Sequence, residues 1–297
     1  MRLVSYVAGS AVRLGALVEG GVVDLEAAAR RAGRTLPADM QAFIELGDAG
    51  LAVADAVLPG AVVTALRPDQ LRAPLPALRK NVFCVGRNYR EHLEEGARAR
   101  GEARTAPEAV VFFSKAATSV IGPERAIEHD ESATSQLDFE VELVIVIGTR
   151  GRNLEPARAL DHVYGYTAGN DVSARDAQKT HLQWFKGKSM DTFCPLGPCI
   201  VPRRDLPRAQ ESAITLRVNG EVRQSSNTRM MMFDIPTIVA QLSRGLTLEP
   251  GDLIMTGTPA GTALGETPSR WLKAGDIVEC EIEGIGVLRN PVRRYEG

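Results

Sequence analysis

The feature that most constrains the fold of this sequence is the regular alternation of residue types over residues 137–148. One set of alternate positions is entirely apolar: Phe139, Val141, Leu143, Ile145 and Ile147. The other set begins with acidic residues and ends with apolar ones: Asp138, Glu140, Glu142, Val144 and Val146. Because side chains two residues apart leave a strand on the same side, this pattern predicts a β-strand. One of its faces belongs to the core, and the other places carboxylates beside an apolar surface.

Strand signals dominate the chain from residue 81 onward, whereas helix signals are few. Strands are predicted at residues 82–85, 110–113, 164–170, 252–256, 276–283 and 287–290. Asn219-Gly220, between residues 214–218 and 221–224, predicts a hairpin with a type I′ turn. One clear amphipathic helix is predicted from Ile235, with Asp234 as its N-cap and Gly245 as its terminator. A strand-rich chain with so few helices favours a β-rich α+β fold over a doubly wound parallel sheet.

The first part of the chain has a different character from the rest. Apolar stretches at residues 3–7, 14–18 and 22–25, separated by turn signals, predict a small hairpin, and residues 27–44 are interpreted as helical. A proline-containing linker follows at residues 72–80. For 297 residues about two domains are expected. The sequence therefore predicts a small N-terminal α+β domain over residues 1–72 and a larger, β-rich domain over residues 73–297.

Composition excludes several classes of function. The 35 Lys and Arg residues balance 37 Asp and Glu residues, which argues against a nucleic-acid-binding surface. No apolar stretch approaches the ~18 residues of a membrane span, and the N-terminus lacks the pattern of a secretory signal. The four cysteines have no disulfide-framework or CxxC spacing: Cys84, Cys194, Cys199 and Cys280. These features predict a cytoplasmic protein with reduced thiols that binds neither nucleic acid nor membrane.

Acidic residues near two predicted strands form a candidate cation site. Glu140 and Glu142 leave the same strand face, and Asp171 follows directly after the predicted strand at residues 164–170. Mg²⁺, Mn²⁺ and Ca²⁺ prefer oxygen ligands, whereas zinc is less natural because no Cys/His pair has zinc-like spacing. Two alternatives remain open at this point. The two glutamates are common on an exposed strand face, and Asp171 is well placed to cap a following helix.

A histidine and a carboxylate form a second candidate group. His92 and Glu95 lie three residues apart in a segment with helix-forming character, so the carboxylate can orient the imidazole as a general base. The alternative is an exposed helix on which His92 is incidental. Arg175 and Gln178 have the same spacing in another helical segment. Gly187-Lys188-Ser189 is no phosphate loop because Leu182 stands at a required glycine, and the glycine-rich residues 256–265 are interpreted as a plain loop.

Several motifs, in this order, resemble the fumarylacetoacetate hydrolase family. The resemblance covers about residues 80–293 and rests on these stretches: Gly86-Arg87-Asn88-Tyr89-Arg90-Glu91-His92, Asp138-Phe139-Glu140-Val141-Glu142, Gly169-Asn170-Asp171-Val172-Ser173-Ala174-Arg175-Asp176, Gly187-Lys188-Ser189-Met190-Asp191 and Thr256-Gly257-Thr258-Pro259-Ala260-Gly261. It implies a mixed β-sandwich or roll, and the N-terminal unit resembles the small extra domain of longer members. Two departures are Ser114-Lys115-Ala116, where the family usually has Lys-Pro, and the arginine-rich segment at residues 96–104.

The resemblance also implies roles for particular residues. It assigns a Mg²⁺ or Mn²⁺ site, which Ca²⁺ can fill in crystals, to Glu140, Glu142 and Asp171. It assigns a water-activating dyad to His92 and Glu95. Lys188 stabilises an enolate in this scheme. The residues that contact a 2-oxo acid substrate are then Arg87, Arg175, Gln178 and Thr258.

The activity that the resemblance implies is metal-dependent hydrolysis of a C–C bond. The expected substrate is an acylpyruvate or another 2,4-diketo acid, cleaved by a homodimeric enzyme that releases pyruvate or a related 2-oxo acid. Because the same enolate can be protonated or formed by loss of CO₂, an isomerase of 2-hydroxyhepta-2,4-diene-1,7-dioate type and an oxaloacetate decarboxylase or tautomerase are alternatives. A further alternative is a homodimer that binds 2-oxo acids without turnover.

Overall fold

The computed structural model describes residues 1–101 and 106–297, and the chain begins with a three-stranded unit followed by three helices. The elements of this N-terminal unit are β1 (Leu3–Ala8), β2 (Ala11–Val18), β3 (Gly21–Asp24), α1 (Leu25–Arg31), α2 (Met40–Glu45) and α3 (Gly47–Val57). The prediction of one helix over residues 27–44 is therefore wrong. Gly33, at φ 67°, ends the first helix, and Pro37 lies in the connection before the second.

Strands dominate the remainder of the described chain, as predicted. The strands are β4 (Val82–Gly86), β5 (Val111–Lys115), β6 (Val120–Ile121), β7 (Ile127–His129), β8 (Leu137–Asp138), β9 (Val141–Ile147), β10 (Val163–Asn170), β11 (Ser173–Ala174), β12 (Cys194–Pro202), β13 (Ala213–Val218), β14 (Glu221–Asn227), β15 (Leu253–Met255), β16 (Ile277–Ile282) and β17 (Gly286–Arg294). The helices are α4 (Arg90–Arg100), α5 (Pro156–Ala159), α6 (Arg175–Thr180), α7 (Phe185–Lys188) and α8 (Ile235–Ser243). No helix among the described residues is both long and apolar enough to cross a membrane. The β-rich α+β prediction is confirmed.

The strands of the described residues form a large mixed sheet and a smaller one. The large sheet has the order β3-β2-β1-β12-β10-β9-β15-β4-β5, with β6 paired to β12. The smaller sheet has the order β14-β13-β16-β17-β7, and β8 pairs with β11 separately. The predicted hairpin joins β13 to β14, and Asn219 and Gly220 have the positive φ values, 53° and 80°, that a type I′ turn requires. The predicted helix is α8, and the Asp234 carboxylate accepts the amide of Thr237.

Strand β9 is buried on both of its faces. Its fully apolar face, which includes Val141 and Leu143, packs in the cluster that contains residues of the smaller sheet such as Leu216. Its other face continues from Glu142 to Val144 and Val146, which pack in a second cluster with residues of the N-terminal unit. The predicted alternation is present, but both faces belong to cores because the N-terminal helices cover the second one.

The N-terminal unit is joined to the rest by the large sheet as well as by packing. Leu3 of β1 pairs with Ile200 of β12, so β1, β2 and β3 extend the same sheet that carries β9 and β10. Phe43 and Ile44 of α2 are fully buried in the cluster that contains Val144. We propose that a domain boundary lies after residue 72, because the composition changes there and the family resemblance begins shortly afterwards. The hydrophobic core nevertheless extends across this boundary.

Asp24 stabilises the N-terminal unit in two ways, which makes a prediction about pH. Its carboxylate caps α1 by accepting the amide of Ala27 at 2.8 Å, and it also accepts Arg13 Nε at 2.5 Å. Burial opposes ionisation, yet Arg13 and the Ala27 amide hold the pKa of Asp24 below its usual value. We expect Asp24→Ala to lower the free energy of unfolding by about 1–2 kcal/mol at pH 7.

A comparison with a second helix cap checks this prediction. Asp39 accepts the amide of Ala42 at 2.9 Å at the start of α2. Since the folded pKa of Asp24 lies below that of an unfolded chain, about 3.9, its stabilisation is present above that pH and is lost as the pH falls. Urea denaturation should therefore show a larger cost for Asp24→Ala than for Asp39→Ala, and a difference that shrinks below about pH 4. An equal cost at all pH values would contradict the ion-pair contribution.

Candidate active site

Glu140, Glu142 and Asp171 lie together where β9 begins and β10 ends. The two strands are antiparallel with Asn170 opposite Val141, so Asp171 falls beside Glu140, and its amide donates to the Glu140 carbonyl at 2.8 Å. The three side chains each offer a carboxylate oxygen within 4.8 Å of the others. All three are at most 4% exposed. The alternative of two solvated glutamates on an exposed strand face therefore does not hold.

Two buried cations neutralise part of this cluster. Lys188 Nζ donates to Glu140 Oε2 at 2.8 Å and to Asp171 Oδ2 at 2.6 Å. Arg175 donates to the other oxygen of Glu140, Oε1, at 2.6 Å and to Asp138 Oδ2 at 2.8 Å. Although burial opposes ionisation of Glu140, Lys188 and Arg175 hold its pKa well below the usual value. Glu140 therefore favours its ionised form, and it bonds both cations.

Glu142 has a different environment from Glu140. Its carboxylate accepts the backbone amide of Gly257 at 2.6 Å, and among the described residues it forms no ion pair. Burial and the neighbouring Asp171 and Glu140 raise its pKa well above the usual value. A divalent cation would relieve this repulsion, and three buried carboxylates are the oxygen ligands that such ions prefer. The residues present thus fit the implied metal.

Asp171 is bonded to a second buried lysine, Lys115, which lies in a segment that departs from the family's usual Lys-Pro. Lys115 Nζ donates to Asp171 Oδ1 at 2.5 Å and to the Val172 carbonyl at 3.0 Å, and its side chain is fully buried. The alternative that Asp171 caps a helix is wrong because α6 starts at Arg175 and has Ala174 at its N-cap position. A charged residue at the end of the apolar run 110–113 was the available signal for Lys115.

His92 and Glu95 form a hydrogen-bonded pair on α4. His92 Nδ1 lies 3.0 Å from Glu95 Oε2, and the Glu95 carboxylate also accepts the Gly261 amide at 2.9 Å and the Thr262 hydroxyl at 3.1 Å. Glu95 is 6% exposed. A carboxylate that accepts Nδ1–H leaves Nε2 as the basic nitrogen of the imidazole. The alternative of an exposed, incidental pair therefore does not hold.

The glycine-rich segment 256–265 is more than the plain loop expected from its sequence. Its backbone amides donate to carboxylates on three other elements: Gly257 to Glu142, Gly261 to Glu95, and Ala263 and Leu264 to Asp138. A Cβ on Gly265 would lie 1.9 Å from Glu95 Oε1, so only glycine permits this close approach. Backbone donors leave no side-chain signature, so the sequence predicted a role for Thr258 but not these amide contacts.

The other predicted substrate contacts line the same cleft. Gln178 accepts Arg175 Nη1 at 3.0 Å, and Thr258 Oγ1 accepts Gln224 Nε2 at 2.8 Å. Arg87 lies over the ring of Trp184, with its Cζ 5.7 Å from the ring centroid. The cleft has a volume of about 1260 Å³, and its lining includes Glu140, Glu142, His92 and Lys188 with these three residues. Glu95 and Asp171 contact residues of this lining: Glu95 is hydrogen-bonded to His92, and Asp171 accepts a hydrogen bond from Lys188.

The arginine-rich segment falls partly outside the described residues. Arg98 lies on α4 with an exposed side chain. The side chain of Arg100 and all of Arg104 lie outside the described residues. The cations that line the cleft in the described part of the chain come from other elements: Arg87, Arg175, Lys179 and Lys188.

Comparisons with known proteins give one consistent result. The family model described as fumarylacetoacetate (FAA) hydrolase C-terminal matches residues 81–293. The oxaloacetate tautomerase YisK of Bacillus subtilis is 42% identical over 233 residues, which is 78% of this chain and 76% of the relative. The oxaloacetate tautomerase FAHD2A of Homo sapiens is 40% identical over 280 residues, covering 92% of this chain and 84% of the relative. The matches therefore include curated enzymes.

Solved structures agree with this result. A fumarylacetoacetate hydrolase from Exiguobacterium antarcticum is 39% identical, covers 99% of this chain and 100% of its own, and has a TM-score of 0.85. A maleylpyruvate hydrolase from Sphingobium sp. SYK-6, solved with manganese(II) and pyruvate, is 27% identical over 100% of both chains with a TM-score of 0.80. The mixed sheets, the buried acidic cluster and these matches lead to one conclusion. The chain is an enzyme of the fumarylacetoacetate hydrolase family.

Proposed function

We propose that this enzyme is a divalent-metal-dependent tautomerase that interconverts the keto and enol forms of oxaloacetate. The observation that carries the proposal is the convergence in one cleft of a buried acidic cluster, the cations Lys188 and Arg175, and an imidazole oriented by Glu95. Two relatives about 40% identical to this chain carry the name oxaloacetate tautomerase. Among the hydrolases, the maleylpyruvate hydrolase is 27% identical, whereas the fumarylacetoacetate hydrolase of Exiguobacterium antarcticum is 39% identical and supports hydrolysis as a second candidate.

The inner end of the cleft suits the 2-oxo carboxylate end of such a substrate. A Mg²⁺ or Mn²⁺ ion held by Glu140, Glu142 and Asp171 would supply the positive charge that lowers the energy of an enolate. Lys188 lies against two of these carboxylates and offers a donor where negative charge develops on the 2-oxo oxygen. Arg175 and Gln178, which are bonded to each other, orient the adjacent carboxylate of the substrate.

His92 is the proposed proton carrier. The C3 protons of oxaloacetate lie between two carbonyl groups and are therefore acidic. His92 Nε2 accepts a proton from C3, the C3–H electron pair forms a double bond between C2 and C3, and the π electrons of the C2 carbonyl move to the 2-oxo oxygen. Return of the proton from His92 to that oxygen gives the enol. Glu95 holds the imidazole and stabilises its protonated form, because its own carboxylate is fixed by the Gly261 amide and the Thr262 hydroxyl.

Substitution of His92 by alanine tests this role. We expect kcat for oxaloacetate tautomerisation to fall by about 10²–10⁴-fold, because the general base is lost. Metal binding should change little, since no metal-site carboxylate bonds to the imidazole. Stopped-flow absorbance of the enol measures the first quantity and Mn²⁺ titration the second. His162→Ala, at a half-buried histidine that is hydrogen-bonded to the Thr149 carbonyl, is the matched control. An active His92→Ala enzyme would contradict the assignment.

Hydrolysis of an acylpyruvate is the second candidate, and the His92–Glu95 pair is the observation that favours it. In this reaction His92 takes a proton from water and the water oxygen adds to the distal carbonyl. The C–C bond of the adduct then breaks to give a carboxylic acid and the enolate of pyruvate, and the enolate takes the proton back from His92. A panel of oxaloacetate, acylpyruvates, fumarylpyruvate and 2-hydroxyhepta-2,4-diene-1,7-dioate, assayed for enol, pyruvate and CO₂, separates tautomerase, hydrolase, isomerase and decarboxylase. Binding without any turnover would support the non-catalytic alternative instead.

We also propose that the enzyme acts as a homodimer in the cytoplasm, with a small-molecule 2-oxo acid as its partner. The family resemblance supports the dimer, and the exposed Leu182 and Phe185 near the cleft mouth offer apolar area for an interface. Light scattering should give about twice the chain mass of 32.0 kDa. A concentration-independent monomer would contradict this proposal.

A further inference from the structure

One wall of the cleft consists of two aromatic rings between two cations. Arg87 lies 5.7 Å from the centroid of the Trp184 ring, and Trp184 meets Phe113 edge to face at 5.3 Å and 78°. At the other end, Lys188 Nζ lies 5.4 Å from the Phe113 ring. We call Arg87, Trp184, Phe113 and Lys188 the cation–aromatic row. Because Lys188 also contacts the acidic cluster, the row begins at the proposed metal centre and ends at Arg87.

The backbone holds Trp184 and Arg87 in these positions. A Cβ on Gly86 would lie 2.2 Å from Trp184 Cζ3, so the ring can occupy this place only beside glycine. Arg87 has φ 58°, a left-handed conformation that is uncommon for a residue with a side chain. Such conformations persist where the surroundings hold them and are found at functional sites. The Lys188 amide donates to the Trp184 carbonyl at 3.1 Å, which links the ring to the proposed catalytic lysine.

The charges at the outer end of the cleft point to an anionic ligand. Besides Glu140 and Glu142, the acidic residues in the described lining of the cleft are Asp176 and Glu266, and both already have hydrogen-bond partners. Asp176 accepts the Thr134 hydroxyl at 2.6 Å, and Glu266 is paired with Arg223 and Arg270. Arg87, by contrast, forms no ion pair with a carboxylate of the described residues. Lys179 is the other cation at this end, but its side chain is exposed, whereas Arg87 is partly buried against Trp184.

We propose that Arg87 binds the second carboxylate of a dicarboxylic 2-oxo acid and that Trp184 is the positioning residue that sets its guanidinium. This inference rests on the proposed function and extends it, because it names the group that separates oxaloacetate from pyruvate. A guanidinium stacked on an indole keeps its N–H edge free and loses little freedom when it binds a planar carboxylate. Lys188 and the acidic cluster receive the 2-oxo end, and Arg87 receives the distal end.

Calorimetric titration of the Mg²⁺-loaded full chain with pyruvate and with oxaloacetate tests the inference. The two ligands share the 2-oxo carboxylate, so the ratio of their Kd values isolates the distal carboxylate. We expect oxaloacetate to bind about tenfold or more tightly than pyruvate to the wild type. Arg87→Met should bring the two Kd values within about twofold of each other and leave the Kd of pyruvate unchanged.

Variants of Trp184 test whether this residue positions the Arg87 guanidinium or only supports the fold. Trp184→Leu should lower the Kd ratio by about threefold or more without weakening pyruvate, while Trp184→Phe, which keeps an aromatic face, should restore most of it. In kinetics with oxaloacetate, both Arg87→Met and Trp184→Leu should act mainly on KM. Both tryptophans of the chain, Trp184 and Trp271, line the cleft, so emission of Trp271 follows binding in the Trp184 variants. Arg87→Lys is the second charge variant, and Lys179→Met is the matched control that should leave the ratio unchanged.

The outcomes distinguish this inference from the proposed function. A wild-type enzyme that tautomerises oxaloacetate but binds it no more tightly than pyruvate overturns the inference alone. Retention of the ratio in Arg87→Met, an equal loss of pyruvate binding in that variant, or loss of the ratio in Lys179→Met also overturns it. A ratio that collapses in Arg87→Met although no tautomerisation occurs supports the inference and contradicts the proposed function.

Discussion

Replacement of Glu142 by glutamine will stabilise the metal-free protein and abolish the stabilisation that Mg²⁺ gives to the wild type. Burial and the adjacent Asp171 and Glu140 raise the pKa of Glu142, so its ionised form costs folding free energy at neutral pH. Glutamine removes that charge and still accepts the Gly257 amide through its carbonyl oxygen. We expect a Tm about 2–6 °C higher in EDTA, no response to Mg²⁺, and activity reduced about 10³-fold or more.

The pH dependence of the same variant has a definite sign. A carboxyl group whose folded pKa is raised destabilises the protein above the unfolded pKa of about 4.3. The stability advantage of Glu142→Gln in EDTA should therefore be absent near pH 4 and increase as the pH rises toward neutrality. Denaturant titrations at several pH values, with EDTA throughout, measure this trend. A constant advantage at every pH would show that the buried charge is not its cause.

Glu140→Gln is the matched control, and it should act in the opposite direction. Glu140 accepts hydrogen bonds from Lys188 and Arg175, so its neutralisation leaves two buried cations without part of their compensation. Breaking a buried ion pair in this way typically costs about 3–5 kcal/mol. Glu140→Gln should thus lose metal binding and stability together. If both variants moved the Tm of the metal-free protein in the same direction, the different electrostatic environments assigned to the two glutamates would be contradicted.

Lys115→Met will be among the most destabilising single substitutions in the catalytic region. It removes a fully buried cation that bonds to Asp171 and to the Val172 carbonyl, and it leaves a buried carboxylate with one cation fewer. We expect the free energy of unfolding to fall by about 3–5 kcal/mol in EDTA. Mn²⁺ affinity should also weaken, because Asp171 would no longer be held in its orientation.

Lys80 provides a control because it donates to the same two kinds of acceptor, a carboxylate and a carbonyl, but has a more exposed side chain. Its Nζ donates to Asp252 at 2.7 Å and to the Thr247 carbonyl at 2.9 Å, but its side chain is 31% exposed. Although its partner Asp252 is buried, the exposed end of Lys80 can be replaced by water, so Lys80→Met should cost less than Lys115→Met, about 1–2 kcal/mol, and leave Mn²⁺ affinity unchanged. Equal losses in the two variants, measured by urea denaturation, would refute the claim that burial makes Lys115 critical.

The parts of the fold that follow local rules could be predicted from the sequence. The Asn219-Gly220 hairpin and the helix capped by Asp234 need only turn chemistry and a period of 3.6 residues, and both are present. The prediction of a single helix over residues 27–44 was wrong because it followed the apolar periodicity and gave too little weight to the helix-breaking residues Gly33 and Pro37. The double burial of β9 depends on packing between segments distant in sequence, which periodicity alone does not contain.

The candidate site shows the same division. That Glu140 and Glu142 share a face follows from the two-residue period of a strand. That Asp171 lies beside them follows from the register of β9 and β10, which the sequence does not specify. The buried partner Lys115 and the amide of Gly257 depend on the tertiary fold. The roles of the individual side chains came from the family resemblance, and they remain predictions for the experiments above.

The position of β12 in the large sheet has a consequence for the behaviour of the protein in solution. One edge of this apolar strand pairs with β10. Its other edge pairs with β6 at Cys194 and with β1 at Ile200. An unpaired apolar edge is a template on which another chain can add a strand. The N-terminal strands therefore protect the enzyme against aggregation, and loss of this unit would appear first as insolubility and only then as a change in chemistry.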